Sequence, residues 1–161
     1  MAAASFEKLS EGFCEIGNIW LPELSADAQG RVAFHVLLRG VAVNLVYCPL
    51  TSPEHVFVLF ELGPVGRGDT DSMHEMRALL DANHSVLEVH PPVFSRNPAT
   101  GEAVLRHTLP LFEATPSGLY EQVDEAVEWI ARWRENLSAS EDATREPQWR
   151  MPPAGALHQI A

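Results

Sequence analysis

The chain has 161 residues, 46% of them apolar, a length that suits one ordinary domain with a core of its own. Its 22 Asp and Glu outnumber its 11 Lys and Arg, of which Lys8 is the one lysine, for a formal charge of −11. That balance argues against nucleic acid as a partner, because phosphate binding needs a basic surface to displace counterions. No apolar run approaches the ~20 residues of a membrane span, and the first twelve residues lack the apolar stretch of a signal peptide, so a cytoplasmic protein is expected. Cys14 and Cys48 then read as free thiols buried in the core.

From Ser5 to Ile16, the spacing of Phe6, Leu9, Phe13 and Ile16 predicts a short amphipathic helix, closed by Gly17 and Asn18 with Pro22 just beyond. From Arg31 the period changes to two. Val32, Phe34, Val36 and Leu38 alternate with Ala33, His35, Leu37 and Arg39, which predicts a strand. Arg39-Gly40 turns into a second strand, Val41 to Cys48, and Pro49 to Pro53 leads to a third, His55 to Leu62. Connections this short require an antiparallel meander, since parallel neighbours need a crossover of about a dozen residues. After the glycine-rich stretch Gly63 to Asp69, Thr70 or Asp71, or else Ser72 with Glu75, caps a helix of about three turns with Met73, Met76, Leu79 and Leu80 on its apolar face and Asn83 as its stop.

Val86 to Phe94 and Ala103 to Leu111 predict a second hairpin, joined through Asn97-Pro98 and Thr100-Gly101. Pro91 and Pro92 cannot donate to a ladder, so the first of these strands is either an edge or broken at that point. Thr115-Pro116 opens the longest helix, carried by Leu119, Val123, Ala126, Val127, Ile130, Trp133 and Leu137. Its acids come early and Arg132 and Arg134 late, the order the helix dipole favours. Residues 138–161 turn polar and proline-containing and are expected to be a disordered tail after a domain over residues 1–137. Helix, three strands, helix, two strands, helix is an α+β order: one twisted antiparallel sheet with helices packed on it.

Signals for chemistry are weak. His74-Glu75-Met76-Arg77 lacks the second histidine of a zinc-protease helix, and Gly63, Gly66 and Gly68 have no Lys-Ser or Lys-Thr after them to make a phosphate loop. Arg67-Gly68-Asp69 spells an adhesion tripeptide that a cytoplasmic chain has no use for. His84, His90, His55 and His107 would form a metal site only if the fold gathered them, and no Gly-x-Ser-x-Gly marks a nucleophile. The expectation is therefore no catalytic, metal or cofactor residue. More informative is the apolar surplus on both faces of the meander: Leu37 opposes Val36 and Leu38, Val46 opposes Leu45 and Tyr47, and Phe57 with Leu59 opposes Val56, Val58 and Phe60. Either both faces are packed within the monomer, or the second face or a sheet edge receives another polypeptide.

The run Leu79-Leu80-Asp81-Ala82-Asn83, a strand, a turn with Asn97 and Gly101, then Val104-Leu105-Arg106-His107-Thr108-Leu109-Pro110-Leu111 and a closing helix with Trp133-Arg134 resembles the Tir chaperone (CesT-type) family, the small acidic chaperones of bacterial type III secretion. The likeness extends from about Phe6 to Leu137. It implies a non-enzymatic, cofactor-free homodimer in the bacterial cytoplasm that keeps the N-terminal segment of a secreted effector extended and soluble. By position in the element order it places client binding at Phe6, Leu9, Phe13, Val36, Leu38, Val43, Leu45, Phe57 and Leu59. In the same way it places a dimer interface at Met73, Met76, Leu80, Val86, Leu87 and Val89. A register slip of one residue would reverse every strand assignment. The tail, with Trp149 and Met151, is longer than the family core and is left open as inert or as touching a client or the export machinery. Two rival readings stand beside this one: a regulatory binding module whose meander face is internally packed, and a small enzyme using His84, His90 or His107.

Overall fold

The computed structural model describes residues 2–65, 69–87 and 89–139. In chain order it has α1 (Ala2–Ile16), β1 (Val32–Leu38), β2 (Val41–Cys48), β3 (Ser52–Pro64), α2 (Asp69–Ser85), β4 (Val93–Arg96), β5 (Glu102–Pro110) and α3 (Pro116–Ala139). The five strands form one antiparallel sheet in the order β1-β2-β3-β5-β4. This is the α+β architecture expected from the sequence.

Local chemistry sets the boundaries. Helix α1 stops where Asn18 takes a left-handed φ of 50° and the Ile19 amide donates back to the Cys14 carbonyl at 2.8 Å. At the β1–β2 turn, Arg39 and Gly40 both have positive φ, 47° and 76°, the pairing whose twist matches two antiparallel strands. The Thr115 hydroxyl caps α3 by accepting from the Gly118 amide at 3.2 Å. Ser138 and Ala139 continue that helix, and the rest of the expected tail lies outside the described residues.

Helix α1 and strand β3 are longer than expected, starting at Ala2 and spanning Ser52–Pro64, and two further elements differ more. Helix α2 runs for 17 residues, well beyond three turns. The strand predicted over Val86 to Phe94 begins only at Val93, because Pro91 and Pro92 bring no amide hydrogens to a ladder. Asn83, expected as a helix stop, instead serves this short edge strand. Its Nδ2 donates to the Phe94 carbonyl at 2.9 Å and its Oδ1 accepts from the Phe94 amide at 2.7 Å, so one side chain stands in for the neighbour that an edge lacks.

The register gives the sheet two unlike faces. Phe34, Val36, Val43, Leu45, Tyr47, Val56, Val58, Phe60 and Leu105 all point to one side and are buried. There they meet Phe6, Leu9 and Phe13 of α1 and Leu119, Val123, Val127 and Ile130 of α3. The Phe6 ring stacks on Tyr47 at 5.3 Å between centroids, and the Tyr47 hydroxyl donates to the Pro53 carbonyl at 3.2 Å. Near its end, α3 is tied to the sheet by Arg134. This guanidinium donates from Nε to the Leu62 carbonyl and from Nη1 to the Gly40 carbonyl, both at 2.8 Å, and from Nη2 to the Glu61 carbonyl at 2.6 Å. Arg39 pairs with Asp124 at 2.8 Å on the same flank.

Three charge-assisted bonds from one guanidinium to three carbonyls make Arg134 the main polar link between α3 and the β1–β2–β3 meander. Arg134→Ala should lower stability by about 2 kcal/mol, and Arg134→Lys should recover only part of it, because an ammonium cannot span the fork. Urea unfolding of the two variants checks this.

Candidate functional site

The opposite face of the sheet is built from the alternate residues of the same strands. Val46 stands beside Phe57 in the register, Asn44 beside Leu59, Ala42 beside Leu37, and Phe57 in turn beside Thr108. Helices α1 and α3 pack on the inner side and α2 lies against β4. Val46, Phe57 and Leu59 are left half-exposed, and Leu37 is 71% exposed. Polar groups frame this apolar band. The Arg106 guanidinium lies 6.0 Å from the centroid of the Phe57 ring, and Asn44 Nδ2 donates to Glu61 Oε1 at 3.4 Å. An apolar band of this kind is larger than scattered single exposed residues and is the sort of surface that marks an interaction site.

A second apolar region follows α2. Met73 and Leu80 are exposed, Leu87 and Val89 are 94% and 90% exposed, and Val86 is half-buried in a segment without regular structure. Met76, from the same helix, instead packs against the core. The six residues assigned to a dimer interface thus fall on one stretch of chain, four of them exposed and two, Met76 and Val86, half-buried.

The residues assigned to client binding divide sharply. Phe6, Leu9, Phe13, Val36, Val43 and Leu45 lie in the core between α1 and the sheet, and Leu38 packs against that core. A client would reach them only by displacing α1. Phe57 and Leu59 lie on the outer face, where Val46 and Leu37 join them. The difference is a matter of parity: the inward sets are the more apolar, with His35, Asn44 and Glu61 among the outward ones, and packing of the inward sets against α1 and α3 leaves Leu37, Val46, Phe57 and Leu59 as the apolar residues that turn outward. Cys14 is buried, and burial raises its thiol pKa; Cys48, expected in the core, is half-buried at the end of β2 among its outward-facing residues. Exposed Trp20, Leu50 and Phe112 add apolar surface that the periodic pattern did not flag.

Among the described residues no three His, Cys, Asp or Glu side chains come close enough to hold a metal ion. The His55 and His90 rings meet edge to face at 5.2 Å, and Ser52 Oγ lies 3.2 Å from His55 Nδ1. His107 is inward-facing, buried, and set edge-on to Phe60 at 5.3 Å. Burial pulls its pKa down to about 4, so the ring is neutral near pH 7. It also lines a cleft of about 420 Å³ between the end of β5 and the start of α3. No described helix is long and apolar enough to cross a membrane.

The comparisons with known proteins now bear on this geometry. The family model of the Tir chaperone protein (CesT) family matches residues 11–134, from the second half of α1 to the Arg134 tie. The chain belongs to the CesT family. Among curated proteins, none matches it. Among solved structures, the ExoT–SpcS complex from Pseudomonas aeruginosa is similar with a TM-score of 0.52 at 15% identity, covering 80% of this chain and 96% of that one. The HopA1–SchA chaperone–effector complex gives 0.55 at 16% identity, with coverage of 81% and 94%. The ExsC–ExsE complex gives 0.53 at 18%, with 80% and 92%. At these identities the likeness is one of fold. CesT membership makes this a chaperone of the type III secretion class, a family whose members are non-enzymatic.

The buried imidazole gives this CesT protein a pH signature. His107 binds a proton below about pH 6.5 in the unfolded chain but only below about pH 4 in the fold. Its contribution is therefore complete above pH 6.5 and is lost as the pH falls through that window, to a total of roughly 3 kcal/mol. Denaturant unfolding of wild type and His107→Phe between pH 7 and 4 should show the variant losing less stability on acidification.

Proposed function

We propose that this protein is a cytoplasmic type III secretion chaperone that works as a homodimer. In this reading it holds the N-terminal region of a cognate effector extended, soluble and ready for the export machinery. The observation that carries the proposal is the two-sided meander, in which one face is filled by α1 and α3 while the other keeps Leu37, Val46, Phe57 and Leu59 at the surface. An effector segment laid over that band has its apolar side chains shielded without folding into a globule, which leaves it threadable. The three similar solved structures are each complexes of two named proteins, one described as chaperone and effector, which supports the same reading. A regulatory module with an internally packed meander fits less well, because this face is not packed.

For the dimer, the proposal uses Met73 and Leu80 of α2 together with Val86, Leu87 and Val89, with Met76 supporting them from the core side. For the client it uses Phe57 and Leu59 with Leu37 and Val46, and it leaves the core residues of α1, β1 and β2 out of the binding surface. The charge of −11 keeps a protein with two apolar surfaces soluble and repels other copies outside the specific contact.

The test is recovery of the tagged protein from its native bacterium under secretion-inducing conditions, with light scattering of what is recovered. The expected result is two copies of this chain with one larger protein held through its N-terminal region. A monomer recovered alone overturns the proposal. Leu80→Asp should convert the dimer to monomer or aggregate, whereas Phe57→Asp should keep the dimer and weaken effector binding by about tenfold or more. Sedimentation and titration with the recovered effector segment separate the two effects.

A further inference from the structure

The outer face of the sheet is apolar at its centre but not uncharged. Among the outward-facing residues of the described strands, Arg106 of β5 is the only Lys or Arg. Across the sheet it stands beside Leu59 of β3 and Val93 of β4. Along its own strand its same-face neighbours are Val104 and Thr108, and its guanidinium lies over the Phe57 ring at 6.0 Å. None of these neighbours carries a negative charge. Glu61, placed diagonally on β3, has its Oε1 accepting from Asn44 Nδ2, and Arg106 forms no ion pair among the described residues.

That position sets a condition on whatever covers the band. In the uncovered chain the Arg106 side chain is exposed and hydrated. A segment laid over Phe57 and Leu59 removes that water, and a charge buried without a partner is a heavy cost. The cover must therefore bring an acceptor to Arg106. A carboxylate meets the requirement best, because it accepts two parallel bonds from the planar fork and cancels the charge. A lysine or arginine at the same place would put two cations in one dry site. The chain as a whole pulls the other way, since a formal charge of −11 draws basic peptides from a distance. Solvent ions screen that distant field, whereas a desolvated pair at contact is screened much less, so the local chemistry decides.

We propose that Arg106 makes the outer face selective for an apolar segment that carries Asp or Glu. The carboxylate sits on the guanidinium, and the flanking apolar side chains cover Phe57 and Leu59. The proposal rests on the reading of this face as the client surface and adds to it the charge the client must present.

The experiment selects binders from a phage-displayed library of random dodecapeptides on the full-length protein and discards those that also bind Phe57→Ser. The retained peptides should carry Asp or Glu between apolar residues. Selection on Arg106→Glu should retain Lys or Arg at that place instead. For one retained peptide, replacing its acid by the matching amide should weaken binding to the wild type about tenfold, and should change binding to Arg106→Gln less than about twofold. Arg106 is exposed, so both of its variants should keep the wild-type urea midpoint. Phe57-dependent peptides without an acid, or an acid preference that persists in Arg106→Glu, overturn the proposal and leave the client surface standing. Enrichment of basic residues on the wild type overturns it too, because the net charge then governs the choice. If no peptide depends on Phe57, the client surface itself falls, and the selectivity of Arg106 with it.

Discussion

The structure depends on one packing constraint: α1 and α3 can cover only one face of the antiparallel meander. Phe6, Leu9 and Phe13 from the first helix and Leu119, Val123, Val127 and Ile130 from the last meet the inward residues of β1, β2 and β3 in a single core. Every other residue of those strands is then turned away from the helices. In most such sheets the outward set is polar, but here it includes Leu37, Val46, Phe57 and Leu59. The surplus is what the proposed client surface rests on, because the same strands that build the core also present an apolar band to the outside.

A second constraint comes from two adjacent prolines. Pro91 and Pro92 shorten β4 to Val93–Arg96, and that shortening has several consequences. It makes Asn83 the substitute backbone partner of Phe94. It sends Leu87 and Val89 away from the sheet and into solvent. It also places Pro92 with the buried His107 ring in the lining of the cleft. An element that would otherwise have closed the sheet instead creates both the apolar flank proposed for dimerisation and the cleft beside it.

Much of the fold was legible in the sequence. The change of period at Arg31, the Arg39-Gly40 turn, the Thr115-Pro116 cap and the apolar spacing from Leu119 to Trp133 each mark a boundary through local sterics or capping, which need no tertiary partner. The element order followed, and with it the likeness to the CesT family. The sequence also showed that both faces of the meander are apolar and that Pro91-Pro92 must interrupt a strand.

What only the tertiary structure decided was facing. Val36, Val43 and Leu45 are no more apolar than Val46, Phe57 and Leu59, so apolar character alone could not say which of them meet α1 and α3, and the expected client residues fell largely into the core. Asn83 had a local role as a helix stop and acquired a long-range one because Phe94 is brought to it across 11 positions of chain. Arg134 looked like a charge suited to a helix end, and its three carbonyl partners lie 72 to 94 residues away. By itself the sequence determined the elements, their order and the double apolar pattern, because those follow from local geometry and period. Which face is core and which is surface came from the fold, because burial is settled by contacts between residues far apart in the chain.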